Sequence, residues 1–153
     1  MHRILKYGLP FFLITQLISC SSDEVKYQPS NNSDEIKVTA GVAKTDPWGF
    51  PLITQQEIMR KINAKEEVFI LDVRSEGEFQ QGHIPGAVNI PIGAIKARLA
   101  ELEKYKNKEI TAICYSGGRT VATLRMLKSI GFTNLKHIEG DMQAWYSAKL
   151  PLD

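Results

Sequence analysis

The chain has 153 residues, of which 43% are hydrophobic, and this is enough for one compact core. Its formal net charge of +2 comes from residues 1–19, where Arg3 and Lys6 have no acidic counterpart. The other 17 of the 19 lysines and arginines balance the 17 aspartates and glutamates, and without a basic block we expect no nucleic-acid partner.

The N-terminus is typical of a bacterial lipoprotein signal. Arg3 and Lys6 precede a mostly apolar stretch, residues 9–18, that is too short to span a bilayer. The run Leu17-Ile18-Ser19-Cys20 resembles a lipobox, which implies cleavage before Cys20 and a lipid on that cysteine. The alternative is an ordinary secretory signal with an incidental cysteine. We therefore expect a membrane-anchored protein of the cell envelope, facing outside the cytoplasm in the periplasm or at the surface.

The chain divides into three predicted parts. Residues 1–19 are the signal peptide, residues 20–45 are the lipidated cysteine with a flexible tether, and residues 46–153 are a globular domain. The tether is predicted because most of the residues that follow Cys20 are polar, with few aliphatic side chains.

The two cysteines and the histidines limit what the domain can hold. If Cys20 carries lipid, Cys114 has no partner in the chain, so no structural disulfide is expected. His83 and His137 lie far apart in sequence without a nearby cysteine, so no metal is expected, and no other cofactor either.

Helices and strands alternate along the predicted domain. Thr54 and Ser75 are each followed three residues later by glutamate, and these capping boxes predict the starts of two helices. Helical spacing of apolar residues predicts two more over 92–105 and 120–130, and Asp141 can cap a short last helix. Apolar runs predict strands at 68–71, 87–90, 110–114 and 135–138. The alternation predicts an α/β fold, with a central parallel sheet covered by helices on both faces.

Cys114 follows the apolar run Ile110–Ile113 and opens a loop with the sequence Cys114-Tyr115-Ser116-Gly117-Gly118-Arg119-Thr120. Ligands of such sheets bind beyond the carboxyl ends of the strands, and Asp72 ends another buried run at that edge. Loop N–H groups and a following helix N-terminus favour a thiolate. A buried, inert thiol is the alternative, but it predicts nothing about the glycines and arginine that follow.

These segments together resemble a single-domain rhodanese, a family of sulfurtransferases. The resemblance covers about residues 50–152 and rests on three segments: Leu71–Pro91 with its Asp72-Val73-Arg74 and Gly82-His83-Ile84-Pro85-Gly86 runs, the Cys114 loop, and Gly131–Pro151 with Gly140 and Trp145. Asp141 departs from the family, in which a second glycine is common here.

The resemblance implies sulfur transfer through a persulfide. The Cys114 thiolate would take the outer sulfur of a small anion such as thiosulfate and pass it to cyanide or a thiol. Gly117 and Gly118 would let N–H groups turn toward that sulfur, since glycine tolerates positive φ. Arg119 would either place a charge beside the sulfur or the donor, or brace the loop through carbonyls. The implied substrate-binding set is Tyr115, Ser116, Gly117, Gly118, Arg119 and Thr120.

The remaining residues of the motifs are the loop hydroxyls and the charged residues near Asp72. Ser116 and Thr120 either donate to the substrate or cap the following helix, and we favour capping for Thr120. Arg74 and Glu78 are expected to pair across a helical turn, and Asp72 to accept loop N–H groups. His83 is expected to be structural, because an ionised thiol needs no general base.

Two other functions are considered, and the length of the loop disfavours the first. Cysteine phosphatases also hold a thiolate among backbone N–H groups, but with five residues between cysteine and arginine, whereas four separate Cys114 from Arg119. The second alternative is a non-catalytic rhodanese-fold module that binds a partner or carries a persulfide to one dedicated protein.

Overall fold

The computed structural model describes residues 44–153. The predicted signal peptide, Cys20 and the predicted tether as far as residue 43 lie outside the described residues. Within the last two residues of that tether, Thr45 forms an antiparallel bridge with Pro51, and the carbonyl of Lys44 accepts the N–H of Leu52 at 2.7 Å.

Five parallel strands form one sheet. They are β1 (Leu52–Ile53), β2 (Phe69–Asp72), β3 (Val88–Asn89), β4 (Ile110–Ile113) and β5 (Leu135–Ile138), in the spatial order β1-β5-β4-β2-β3. All four residues of β4 are buried, as a central strand with both faces covered requires. The predicted α/β class is confirmed.

Helices cover both faces of the sheet, and the sheet separates two apolar cores. The helices are α1 (Gln55–Asn63), α2 (Glu76–Gln80), α3 (Leu99–Leu102), α4 (Gly118–Ser129) and α5 (Asp141–Ser147). Leu102 of α3 and Leu124 of α4 pack on one face, whereas Ile58 of α1 and Trp145 of α5 pack on the other. None of the helices formed by residues 44–153 is both long and apolar enough to cross a bilayer.

The two predicted capping boxes differ in the structure. At Ser75 the box is complete, because Ser75 Oγ accepts the Glu78 N–H and the Glu78 carboxylate accepts the Ser75 N–H. At Thr54 only the first half forms, because the Glu57 carboxylate pairs instead with Arg60.

The prediction of one helix over 92–105 is wrong. Two 3₁₀ turns, Ile92–Ala94 and Glu103–Tyr105, stand on either side of the four-residue α3. Gly93 weakens the helix near its start, and Arg98 leaves helical geometry at φ −105° and ψ 17°. The apolar spacing still identifies side chains of the core, since Ile95 is fully buried.

Strand register brings three segments to one edge of the sheet. Asp72 pairs with Ile113, which places the end of β2 beside Cys114. Ala112 pairs with His137, so β5 ends at the same edge one strand away. The loops after β2, β4 and β5 therefore meet where ligands of parallel sheets bind.

Candidate active site

Cys114 leaves β4 at this edge and is only 1% exposed. The N–H of Gly117 donates to its Sγ at 3.1 Å. Gly117 is the N-cap of the 12-residue α4, so the sulfur lies near the positive end of that helix. Tyr115 and Ser116 form the exposed part of the loop. The sulfur therefore lies against a loop N–H donor and beside a helix N-terminus.

The two glycines of the loop have different roles. Gly117 adopts φ 95°, and a Cβ built there would lie 3.1 Å from Asp141 Oδ2. Gly118 has no positive φ, already belongs to α4, and would accept a Cβ without contact within 4 Å. The expectation that both glycines turn N–H groups inward through positive φ is therefore wrong for Gly118, because the helix begins two residues earlier than predicted.

Arg119 pairs with Glu78 rather than with loop carbonyls. Two bonds of 2.7 Å join its guanidinium to the two carboxylate oxygens, and both side chains are about one-third exposed. This pairing raises the pKa of Arg119, with a smaller contribution from Cys114, and holds the pKa of Glu78 far below its usual range. The guanidinium is thus a permanent charge, oriented from α2, at the mouth of the loop.

The predicted pair between Arg74 and Glu78 does not form. Arg74 instead makes a fully buried bidentate pair with Asp72, with bonds of 2.6–3.0 Å. The same guanidinium donates to the Gly82 carbonyl and the Tyr146 hydroxyl, each at 3.0 Å. Burial alone would lower the pKa of Arg74, but Asp72 raises it. Asp72 accepts the backbone N–H of Arg74, so this pair joins β2 to the following turn and to α5.

Thr120 is buried within α4 and does not cap that helix. Since α4 begins at Gly118, Thr120 lies inside the first turn and is fully buried. Its hydroxyl donates to Asp141 Oδ1 at 3.0 Å. The capping role favoured for it is wrong, because Gly117 is the N-cap, and its hydroxyl instead anchors the start of α4 to Asp141.

Sequence reasoning missed a buried trio behind the loop. The expectation that Asp141 caps the last helix is wrong, because Gly140 is the N-cap of α5, and Asp141 Oδ1 also accepts the N–H of Cys114 at 2.8 Å. His137 lies against Asp141 Oδ2 at 2.8 Å and against Asp46 Oδ2 at 3.0 Å. The i, i+4 spacing of His137 and Asp141 beside a strand end was the available signal. No such signal existed for Asp46, which lies 91 positions before His137 in the sequence.

A cleft of about 280 Å³ opens beside the loop and gives it a face toward solvent. Its lining combines the two ion-pair networks with aromatic side chains: Arg74, Glu78, Gln81, Tyr115 and Tyr146. The cleft is large enough for a small oxyanion or a thiol, and Glu78 connects it directly to Arg119.

His83 has a structural position, as expected. Its Nδ1 contacts the carbonyl of Phe79 at 3.0 Å, and its ring stacks on the Phe79 ring. Its backbone pairs with that of Asp153. Among residues 44–153, no group of three or more His, Cys, Asp or Glu side chains is arranged to hold a metal ion.

Fold and site together define a class of protein: an α/β domain with one cysteine at the carboxyl end of a central parallel strand, enclosed by a short loop. A family model described as "Rhodanese-like domain" matches residues 54–148, which is more than half of the chain. The chain belongs to the rhodanese-like family.

Individual relatives also support membership of this family. The chain is 37% identical over 95 residues to "Putative sulfur carrier protein YrkF" of Bacillus subtilis, covering 62% of this chain and 50% of that one. It is 27% identical over 100 residues to a "Sulfurtransferase" of Allochromatium vinosum, covering 65% and 92%. A crystal structure of a rhodanese-related protein from Thermoplasma volcanium superposes with a TM-score of 0.57 at 30% identity, covering 66% and 95%. The chain thus spans only about half the length of YrkF.

Proposed function

We propose that this protein moves sulfane sulfur from a small anionic donor such as thiosulfate to a thiol or cyanide, through a persulfide on Cys114. The observation that carries the proposal is the enclosed Cys114 sulfur, which receives an N–H from the loop at the N-terminus of α4. Family membership and relatives named for sulfur transfer or sulfur carriage support the same chemistry.

The two steps balance without a cofactor. The Cys114 thiolate attacks the outer sulfur of thiosulfate, a new S–S bond forms, and the bond to the sulfonate sulfur breaks to release sulfite. Cyanide or a thiolate then attacks the outer sulfur of the persulfide, and the electron pair returns to Cys114. Loop N–H groups stabilise the anionic sulfur in both states. Arg119, fixed by Glu78, attracts the anionic donor at the mouth of the loop.

A persulfide carrier that serves one dedicated protein is the second candidate. The name of YrkF describes a sulfur carrier, and the Cys114 sulfur is almost wholly enclosed. A persulfide adds one S–S bond of about 2 Å, so its outer sulfur projects toward the loop surface where a protein acceptor could dock. Such a carrier would load readily from a donor and turn over slowly with cyanide.

Intact-mass spectrometry tests the proposal. The full-length chain carries Cys20→Ser, which leaves Cys114 as the only thiol, and the control adds Cys114→Ser. We expect a gain of one sulfur atom with thiosulfate in the first protein alone, and its removal by cyanide with release of thiocyanate. No adduct from thiosulfate or polysulfide, at a thiol that iodoacetamide still alkylates, would move the assignment to a binding module. Hydrolysis of an aryl phosphate instead would favour phosphatase chemistry.

We further propose that the domain is displayed outside the cytoplasm on a lipid anchor at Cys20, with residues 1–19 removed as a signal and residues 20–45 serving as a tether. The residue pattern around Cys20 supports this division. Metabolic labelling with an alkyne fatty acid tests it: we expect label on the wild-type chain and none on Cys20→Ser. Equal labelling of both proteins, or of neither, would contradict the anchor.

A further inference from the structure

A buried trio lies behind the Cys114 loop and consists of Asp46, His137 and Asp141. Their exposures are 7%, 6% and 3%, and they come from the segment before β1, from β5 and from the start of α5. Each ring nitrogen of His137 contacts a different carboxylate, Nδ1 to Asp46 and Nε2 to Asp141. An ionised carboxylate can only accept, so with both carboxylates ionised each ring nitrogen donates and His137 is an imidazolium.

The charges on His137 support that state. Burial by itself lowers the pKa of His137, but the hydrogen bonds to Asp141 and Asp46 outweigh it and raise the pKa above its ordinary value. Burial likewise opposes ionisation of Asp46, yet His137 and the N–H groups of Phe50 and Trp48 lower its pKa. Among the described residues, these two carboxylates are the charged groups that act on His137. Gly117 faces it from the loop, and the uncharged carbonyl of Pro51 accepts its backbone N–H.

Asp141 joins this trio to both ends of the reactive loop. Its Oδ1 accepts the N–H of Cys114 at 2.8 Å and the hydroxyl of Thr120 at 3.0 Å, while Oδ2 faces His137. One carboxylate therefore fixes the residue that carries the sulfur and the first turn of the helix behind it. The backbone adds to this clamp, because the N–H of Met142 donates to the Cys114 carbonyl at 3.1 Å.

The backbone at Asp141 is strained for a residue with a side chain. Its φ is 52°, in the left-handed region that glycine adopts freely. A glycine would relieve the strain but would leave the N–H of Cys114 and the hydroxyl of Thr120 without their acceptor. Strain retained beside a buried polar network indicates that the side chain has a role there.

We propose that Asp141 is a positioning residue for Cys114, and that protonated His137, clamped between Asp46 and Asp141, holds that carboxylate in place and offsets its charge. The proposal rests on the proposed sulfur transfer only in taking Cys114 as the reacting group. With the His137 proton, the trio carries one net negative charge beneath the thiolate. Without it, two uncompensated carboxylates oppose the same thiolate, in a site where screening by water is weak.

Two substitutions at residue 141 distinguish the effect of losing the Asp141 acceptor from the effect of relieving the backbone strain. In the full-length chain with Cys20→Ser, Asp141→Gly removes the acceptor and the strained side chain together. Asp141→Asn keeps an oxygen that accepts from Cys114, and its amide can donate to a neutral His137. We expect the rate of persulfide loading from thiosulfate to fall at least tenfold in the glycine variant and to stay within threefold of wild type in the asparagine variant. A glycine variant that folds and loads as fast as wild type would overturn the positioning role.

Substitution of His137 tests the charge. His137→Asn leaves Asp46 and Asp141 uncompensated, so we expect the pH midpoint of Cys114 alkylation by iodoacetamide to rise by at least about half a pH unit, a threefold loss of thiolate at fixed pH. Adding Asp141→Asn to this variant should return the midpoint to its wild-type value, because it removes one of the two carboxylate charges. A purely structural role would lower the melting temperature without this reversible shift.

The outcomes separate this inference from the proposed function. Circular dichroism and thermal melting identify variants that fail to fold, and the asparagine variants carry the test if the glycine variant is one of them. If the wild type accepts no sulfur but the alkylation midpoints shift and recover as described, sulfur transfer fails and the positioning of Cys114 stands. If the wild type loads sulfur and His137→Asn leaves the alkylation midpoint unchanged, the inference fails and sulfur transfer stands.

Discussion

Removing the charge of Asp72 should lower the free energy of unfolding of this domain far more than removing a comparable charge at the surface. Arg74 directs bonds of 3.0, 2.9 and 2.6 Å at the Asp72 carboxylate, and the side chains are 1% and 0% exposed. In Asp72→Asn, the amide N–H group would face guanidinium N–H groups, and Arg74 would stay buried without a counter-charge. Breaking a buried pair in this way costs about 3–5 kcal/mol. With a urea m-value of about 1–3 kcal/mol/M, the midpoint should fall by about 1 M or more.

Urea denaturation of the full-length chain, followed by circular dichroism, measures this effect. Glu101→Gln is the matched control, because Arg98 also binds Glu101 with two bonds, of 2.7 and 2.8 Å, but on side chains 37% and 50% exposed. We expect almost no change in its midpoint, because water replaces exposed ion pairs at little cost. Equal shifts in the two variants would refute the reasoning that burial gives the Asp72–Arg74 pair its importance. Asp72→Asn should still accept sulfur below its unfolding transition, since Asp72 binds Arg74 and not the Cys114 loop.

Three further predictions follow from the site. Gly117→Ala should lower the free energy of unfolding, measured in urea, by about 1–3 kcal/mol and abolish most persulfide loading, because φ 95° and a contact of 3.1 Å oppose a Cβ there. Gly118→Ala should match wild type in both assays, and similar losses in the two variants would contradict the assigned loop geometry. Lysine at position 119 cannot reproduce the two bonds that Arg119 makes to its carboxylate partner, so kcat/KM for thiosulfate should fall about tenfold in Arg119→Lys. Arg125→Lys, on the exposed side of the same helix, should leave kcat/KM unchanged. An unchanged kcat/KM in Arg119→Lys would exclude a role of Arg119 in donor binding. The folded state raises the pKa of His137, so the contribution of its charge to the free energy of unfolding should be complete below pH 6.5 and be lost as pH rises through the folded-state pKa. A His137→Asn chain should lack this decline, and the same slope in both chains would show that another group is responsible.

The positions of the strands and of the reactive loop followed from local pattern. Apolar runs predicted β2 and β4 to within one residue, because a strand buried on both faces needs a continuous apolar stretch. The complete capping box at Ser75 also follows from spacing alone, since both of its bonds lie within one helical turn. The broken helix over 92–105 shows where the pattern fails, because apolar spacing predicts the buried face and not the continuity of the backbone.

The partners of the charged residues could not be read from local pattern. Local spacing favoured Arg74 with Glu78, but the fold places Glu78 against Arg119, 41 residues away, and Arg74 against Asp72. A pairing of charges depends on which side chains the fold brings together. Arg74 precedes the Ser75 N-cap of α2, so its spacing from Glu78 does not place the two side chains on one face of a helix.

By itself, the sequence determined the alternation of helices and strands, the family resemblance, and the place of Cys114 at the end of a buried strand. These properties depend on residues close together in the chain, whose apolar period and glycine positions act locally. Only the tertiary structure decided that Asp46, His137 and Asp141 meet beneath that cysteine. The order of the strands brings the segment before β1 and the start of α5 together behind β4, and the buried charges there must then be satisfied by one another.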